Sequence, residues 1–270
     1  MKWFTKLFNF YINSSIHVAL AVCALTLITL QEIDKPVSQK LILFIFFGTI
    51  TGYNFVKYSG VARLHHRSLT DSLKVIQIFS FMCFAAWVYF ILQLPFNFLL
   101  RCVPLGLLTL LYALPVFPKK KNLRRVPTLK IFVIAAVWAG ATVYLPVVYH
   151  AILWDWDLFI VLFQRFLIVL ALIIPFEIRD YKYDDAELGT IPQILGVVRT
   201  KLTGIVLLIG FVILAYFKDN LSYDYLYATL IITIILSVVI LLTRKEQSRY
   251  FSSFWVEGIP ILWWVLYAII

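Results

Sequence analysis

Long apolar runs separated by short polar connectors make up most of this chain of 270 residues. A helix needs about 20 mostly apolar residues to cross the hydrocarbon core of a bilayer. Nine runs meet or approach that length, and no connector is long enough to form a separate soluble domain. We therefore predict nine transmembrane helices, over residues 11–30, 40–58, 71–92, 98–114, 129–149, 158–176, 201–217, 223–242 and 254–270.

The composition agrees with a membrane protein. Hydrophobic residues make up 62% of the chain and charged residues only 14%, whereas soluble domains carry about a quarter charged residues. The predicted fold class is an all-α integral membrane protein, with one polytopic domain over residues 1–270. Cys23, Cys83 and Cys102 lie in apolar runs without metal-ligand spacing, which favours small buried hydrophobic side chains.

The basic residues are unevenly divided between the two sides of the predicted bundle. The N-terminus and every second connector hold nineteen of the 24 Lys and Arg, and the other five are Lys35, Lys40, Arg101, Arg165 and Lys218. Because Lys and Arg mark the cytoplasmic side, we predict a cytoplasmic N-terminus and a C-terminus outside, in a bacterial inner (plasma) membrane. This asymmetry accounts for the net charge of +10, so the expected partner is the lipid bilayer and not nucleic acid.

An acidic stretch directly follows the sixth apolar run. Five of the 14 acidic residues lie within eleven positions there: Glu177, Asp180, Asp184, Asp185 and Glu187. If the helix continues beyond that run, Glu177, Asp180 and Asp184 fall at i, i+3 and i+7 on one face, and Arg179 and Lys182 point to other faces. Mg²⁺ takes one or two carboxylates together with water and phosphate oxygens. We predict that these three carboxylates bind Mg²⁺; the alternative is a solvated acidic loop.

The residues of this stretch resemble a known family. Asp180-Tyr-Lys-Tyr-Asp184, followed by Gly189-Thr-Ile-Pro192 and Leu195-Gly196, resembles the second aspartate-rich motif of the UbiA superfamily of intramembrane prenyltransferases. The run 111–115, with the basic patch after it and Lys130, is similar to that family's loop between helices four and five. The resemblance implies nine helices bundled around a central cavity. It also implies a cytoplasmic active site, in which Mg²⁺ bridges an isoprenyl diphosphate to aspartates and an aromatic or other lipophilic acceptor captures the prenyl group. By this resemblance Asp180 and Asp184 are the catalytic residues.

The first aspartate-rich motif of that family is incomplete in this chain. Asn54 matches, but Tyr58 and Ala62 stand at the two aspartate positions, and no carboxylate occurs between Asp34 and Asp71. Basic residues lie near that place, and Lys and Arg commonly bind phosphate groups directly. We therefore predict a substrate-binding set that replaces metal with cations: Asn54, Lys57, Arg63, Arg67 and Lys130.

Loss of the first motif leaves two functions open. The first is a prenyltransferase that retains its activity, and the second is a catalytically inactive UbiA-type protein that binds a lipid or a membrane partner. A transporter is a third and weaker option, because the sequence shows no inverted repeat. Two further charges are notable. Arg165, eight residues into the sixth run, is expected to face the bundle interior, and Glu257 is expected to pair with Arg249 or another base.

Overall fold

The computed structural model describes residues 2–58, 71–114, 126, 128–184 and 189–270. Eleven α-helices and two π-helical segments run through these residues, and no strand occurs among them. The helices are α1 (Lys2–Asn13), α2 (Ile16–Glu32), α3 (Gln39–Tyr58), α4 (Asp71–Ile91), α5 (Phe96–Ala113), α6 (Leu129–Ala139), α7 (Leu145–Tyr149), α8 (Trp156–Asp180), α9 (Ile191–Ala215), α10 (Tyr223–Leu242) and α11 (Ile259–Ile269). The π-helical segments are Gly140–Tyr144, which joins α6 to α7, and Phe251–Val256, which precedes α11.

The number of spans agrees with the sequence prediction. In the described parts of the chain, eight helical spans are long and apolar enough to cross a membrane, and α1 with α2 makes a ninth if this bent pair counts as one span. The first predicted span is therefore broken. The chain bends by 54° between α1 and α2, and Ser15 at the bend adopts a left-handed backbone conformation with φ 65°.

Helix α8 lies at the centre of the bundle. It is the most deeply buried of the spans, and it packs against α6, α9 and α10. The helix begins where the Asp155 carboxylate accepts a hydrogen bond from the Leu158 N–H at 2.8 Å, which satisfies one of the free amides of the first turn. It continues beyond residue 176 as predicted but ends at Asp180, followed by a turn over 181–183. Consequently Asp184 is not on a continuous helical face with Glu177.

Helix α9 begins ten residues earlier than the predicted seventh span. The Thr190 N–H donates to the Gln193 side chain at 2.9 Å in a capping arrangement, and Pro192 occupies the first turn, where its missing N–H costs nothing. Gly196 then interrupts the helix with φ 77° and ψ 162°, a conformation that glycine adopts without strain. Residues 191–200, which precede the predicted seventh span, thus form the first turns of α9, and the helix is kinked at Gly196.

The two ends of the bundle differ in character. We call the end where α3 and α8 terminate, at Tyr58 and Asp180, the charged end, and the other the opposite end. Near the opposite end, Arg165 is 1% exposed and donates to the Thr29 hydroxyl at 3.1 Å. Its guanidinium carbon also lies 5.2 Å from the ring centroid of Trp263. The predicted interior position of Arg165 is confirmed.

Candidate functional site

A cavity of about 280 Å³ lies among helices α2 to α7. Along α3 it extends from Phe44 to Val56, which at 1.5 Å per residue is a length of about 18 Å. The cavity is thus elongated along the helix axes and reaches the last turns of α3 before the charged end. Its wall is almost entirely apolar, and it is lined by Val22, Phe44, Ile45, Gly48, Thr49, Gly52, Tyr53, Val56, Trp87, Cys102, Leu105, Gly106, Thr109, Tyr112, Val133, Ile134, Val137, Trp138, Ala141 and Leu145.

The indole of Trp87 forms part of this wall because α3 carries a glycine opposite it. A Cβ atom at Gly48 would lie 2.7 Å from Trp87 Nε1, closer than atoms in van der Waals contact can approach. The indole also stacks on Phe44, with ring centroids 6.0 Å apart. Gly48 therefore permits a large aromatic ring to close one side of the cavity.

Several polar groups of the cavity lie towards the charged end, and the Trp87 Nε1–H, which is buried without a hydrogen-bond partner among the described residues, lies further from it. The Trp138 Nε1–H donates to the Tyr53 hydroxyl at 2.7 Å, and Tyr112 lines the same region from α5. Two threonines of the wall are already satisfied by their own helices, since the Thr49 hydroxyl donates to the Ile45 carbonyl and the Thr109 hydroxyl to the Leu105 carbonyl. Tyr53 had not been singled out in the sequence, and no motif would have identified it.

Lys130 joins two of the predicted carboxylates at the charged end. Its Nζ lies 2.9 Å from Glu177 Oε1 and 2.9 Å from Asp184 Oδ2. The pairing is largely shielded from solvent, because the side chains of Lys130 and Glu177 are only 13% and 6% exposed. The second carboxylate oxygen of Glu177 is buried without a hydrogen-bond partner among the described residues. Lys130 thus supplies the counter-charge for which the sequence had suggested a metal ion.

The third predicted carboxylate has a different partner. Arg179 donates to both oxygens of Asp180, Nε to Oδ1 at 2.8 Å and Nη2 to Oδ2 at 3.2 Å. The prediction that Arg179 points away from the acidic face is therefore wrong. A fork-shaped guanidinium suits such a two-point contact with a carboxylate. Because Arg179 and Asp180 are adjacent in the last turn of α8, the two groups can reach each other.

Two more acids at this end also face cations. Glu246 accepts a hydrogen bond from Lys182 at 2.6 Å, and this contact holds the pKa of the exposed Glu246 carboxyl below its usual value. Glu257 lies within electrostatic reach of Lys57 and Arg179, which gives it the basic neighbours that the sequence led us to expect. Those neighbours are not Arg249, whose guanidinium lies over the Tyr250 ring.

Asn54, the remnant of the first motif, is used inside the protein. Its amide nitrogen donates to the Ser14 carbonyl at 3.0 Å and the Ser80 hydroxyl at 2.8 Å, and its carbonyl oxygen accepts from the Ser15 hydroxyl at 2.8 Å. Asn54 is 3% exposed. These bonds connect α3 to the break between α1 and α2, and the geometry gives no support to a substrate contact.

Of the remaining predicted contacts, some lie within the described residues and some do not. Lys57 is exposed, and its ammonium donates to the Asn13 carbonyl at 3.1 Å, as does the nearby Tyr58 hydroxyl at 2.8 Å. The predicted substrate contacts Arg63 and Arg67 lie outside the described residues, as do Asp185 and Glu187 of the acidic stretch. Within the described set, the cavity wall includes none of Asn54, Lys57, Lys130, Glu177, Asp180 and Asp184.

The described carboxylates do not fit a Mg²⁺ ion in this geometry. Mg²⁺ requires nearly octahedral oxygen ligands at about 2.0–2.1 Å. An ammonium group stands between Glu177 and Asp184, Asp180 is engaged by Arg179, and no group of three potential ligands occurs in the described ranges. The Mg²⁺ site therefore stays a prediction.

Comparison with known proteins identifies the fold. No family model and no curated protein sequence matches the chain. A solved structure of a digeranylgeranylglyceryl phosphate synthase in membranes is similar, with a TM-score of 0.58, 17% sequence identity and coverage of 98% of both chains. At this level of identity the likeness concerns the fold, and it extends over nearly the whole of each protein. The chain is an integral membrane protein with the UbiA-type fold that the sequence predicts.

Proposed function

We propose that the protein is a prenyltransferase-like membrane protein that transfers an isoprenyl group from an isoprenyl diphosphate to an aromatic or other lipophilic acceptor. The observation that carries this proposal is the long apolar cavity, which leads towards a charged end within a UbiA-type fold. A flexible hydrocarbon tail suits an elongated apolar space, and a diphosphate requires cations at the membrane surface. The synthase with the similar fold agrees with this class of chemistry.

In the proposed complex the isoprenyl tail lies in the cavity and the diphosphate lies at the charged end. Lys57 and Lys130 are the described cations of the predicted substrate-binding set, to which Arg63 and Arg67 also belong. Lys57 is exposed, so it can exchange its hydrogen bond to the Asn13 carbonyl for a phosphate oxygen. Lys130 is held by two carboxylates, and a diphosphate would compete with them for its ammonium hydrogens.

The proposed transfer breaks the bond between C1 of the isoprenyl chain and the diphosphate oxygen. The electron pair leaves with the diphosphate, whose growing negative charge the cations stabilise. The resulting allylic cation reacts with an electron pair of the acceptor, which then loses a proton. The apolar wall contributes by keeping water away from the cation, because water would otherwise give the free alcohol.

The orientation belongs to this proposal as well. The charged end carries the basic residues, so by the positive-inside rule it lies in the cytoplasm, with the C-terminus on the other side. The proposed membrane is the bacterial inner (plasma) membrane. A diphosphate made in the cytoplasm would then reach the cavity from the same side as its cations.

A non-catalytic lipid-binding protein is the second candidate. It is favoured by the pairing at the charged end, where Lys130 engages Glu177 and Asp184 while Arg179 engages Asp180. Carboxylates that are neutralised internally are less available to a metal ion. The absence of any carboxylate between Asp34 and Asp71 in the sequence points in the same direction.

Release of pyrophosphate distinguishes the two candidates. Purified protein in nanodiscs is incubated with Mg²⁺, an aromatic acceptor and geranyl, farnesyl or geranylgeranyl diphosphate, and pyrophosphate is measured over time. Transfer requires release by the wild type; loss of release in Asp180→Asn and Asp184→Asn would support the catalytic role that the family resemblance assigns to these aspartates, and full release is expected in Glu246→Gln. The last variant is the matched control, because Glu246 is an exposed acid at the same end with a basic partner of its own. No release with any donor, while isoprenoid binding is retained, would overturn the enzyme and support the lipid-binding protein.

A further inference from the structure

A pair of hydrogen-bonded side chains stands where the apolar cavity approaches the charged end. Tyr53 comes from α3 and Trp138 from α6, and both line the cavity. Their rings are 6.4 Å apart between centroids and tilted by 70°, and 2.7 Å separates Trp138 Nε1 from the Tyr53 hydroxyl oxygen. Two spanning helices therefore fix the position of one hydroxyl group at the cavity wall.

The direction of this hydrogen bond determines what the hydroxyl can still do. An indole N–H only donates, so the Tyr53 oxygen is the acceptor of this bond. A phenolic hydroxyl also has one hydrogen to donate, and within the described ranges no side chain or carbonyl accepts it. Glu257 is within electrostatic reach of Tyr53, but no hydrogen bond joins them. The Tyr53 O–H is thus a positioned donor awaiting an acceptor.

The surroundings restrict the chemical class of that acceptor. No charged side chain is part of the cavity wall in the portion of the protein that the structure describes, and an unpaired charge in apolar surroundings is strongly disfavoured. The hydroxyls of Thr49 and Thr109 are bonded to their own helices and so compete less for a ligand, whereas the Trp87 N–H, unpaired among the described residues, is a second donor in the wall. A matching molecule therefore has an apolar body, no charge and an oxygen atom at one end.

We infer that Tyr53, held by Trp138, binds the hydroxyl or carbonyl oxygen of an uncharged lipophilic molecule whose apolar body lies in the cavity. This goes beyond the proposed function, because such a molecule would occupy the space proposed for the isoprenyl tail and compete with it. Binding itself requires neither diphosphate nor metal ion. Tyr53 is a specificity residue in this account, because it selects an oxygen-bearing molecule over a hydrocarbon of the same shape.

The test compares two probes that differ by one oxygen. Farnesol carries a terminal hydroxyl, and farnesene has a related carbon skeleton without oxygen. Equilibrium binding of each is measured with the full chain in nanodiscs, and binding to empty nanodiscs is subtracted. Loss of one hydrogen bond in an apolar site corresponds to about a fivefold to tenfold change in affinity. Tyr53→Phe is therefore expected to weaken farnesol binding by that factor and to leave farnesene binding unchanged.

Two further variants keep the test decisive. Trp138→Phe removes the partner that orients Tyr53 and is expected to weaken farnesol binding selectively, so it replaces Tyr53→Phe if the latter does not fold. Tyr149→Phe is the matched control, because its hydroxyl bonds to Ser38 and it is not part of the cavity wall. Equal weakening of both probes would reduce Tyr53 to a packing residue and overturn the inference, as would unchanged farnesol binding. Pyrophosphate release is not measured here, so failure of the transfer proposal and failure of this site remain distinguishable.

Discussion

The ammonium group of Lys130 lies 2.9 Å from Oε1 of Glu177, and the two side chains are only 13% and 6% exposed. Lys130 lies in the first turn of α6 and Glu177 near the end of α8, so the pair connects two packed helices at the charged end. A buried ion pair is costly to form, but removing one partner leaves the other charge uncompensated. We therefore expect the packing of α6 against α8 to be more stable in the wild type than in a variant that lacks either Lys130 or Glu177.

Lys130→Met is expected to destabilise the protein by about 3 kcal/mol, the usual result of breaking a buried pair from one side. The double variant Lys130→Met with Glu177→Gln is expected to recover more than half of that loss, because the more deeply buried of the two unpaired carboxylates is then absent. Thermal unfolding of the wild type, the two single variants and the double variant in detergent forms a double-mutant cycle, which gives the coupling energy between the two residues. Additive losses would show that the two residues do not interact in the folded protein.

The same contact predicts how the charged end responds to divalent metal. With Lys130 in place, its ammonium competes with metal for Glu177 and Asp184. In Lys130→Met both carboxylates become available, so Mn²⁺ or Mg²⁺ is expected to raise the unfolding temperature of this variant more than that of the wild type. The triple variant that also carries Glu177→Gln and Asp184→Asn is the control and is expected to lose the effect. A larger metal response in the wild type would instead favour the predicted Mg²⁺ site.

A second buried ion pair lies at the opposite end. Lys218 bonds to Glu32, and their side chains are 3% and 8% exposed, while the Lys218 ammonium lies 4.2 Å from the ring centroid of Tyr225. Glu32→Gln leaves this lysine without its counter-ion and is expected to cost about 3 kcal/mol. Glu246→Gln removes an acid from an exposed pair with Lys182, and its unfolding temperature is expected to stay at the wild-type value. If Glu32→Gln and Glu246→Gln had the same unfolding temperature, the Lys218–Glu32 pair would not be more buried than the Lys182–Glu246 pair.

The spans were predictable from the sequence because hydropathy is a local property. The break between α1 and α2 was not, because the polar residues 13–15 within an apolar run do not by themselves distinguish a bent helix from a straight one. Two serines at the break bond to Asn54, which is about 40 positions away along the chain. The family resemblance had suggested a substrate contact for Asn54, and its actual hydrogen bonds depend on how α3 packs against that break.

The candidate site was predictable only in part, for the same reason. The acidic stretch after the sixth run was visible in the sequence, and so was Lys130 as a basic residue of the same region. That Lys130 pairs with Asp184 was not, since 54 positions separate them. The cavity and the Tyr53 donor depend on which faces of α3 and α6 meet, and apolar helices in a bilayer carry little pattern that distinguishes one face from another.

Close packing of Trp87 against α3 gives a prediction about the cavity wall. Gly48→Ala would place a methyl group 2.7 Å from Trp87 Nε1, and because the indole is rigid it must move as a whole. Such overpacking typically costs about 1–3 kcal/mol. Gly106→Ala is the matched control, because Gly106 also lines the cavity within a helix but a Cβ there meets nothing within 4 Å.

Both substitutions gain the same helix propensity, about 1 kcal/mol for alanine over glycine, so the difference between them reports the clash alone. Thermal unfolding is expected to rank Gly106→Ala at or above the wild type and Gly48→Ala below it. Trp87→Phe combined with Gly48→Ala is expected to restore stability, because the smaller ring leaves room for the methyl group. If Gly48→Ala is as stable as Gly106→Ala, the indole does not pack against Gly48, and the wall of the cavity is open at that position.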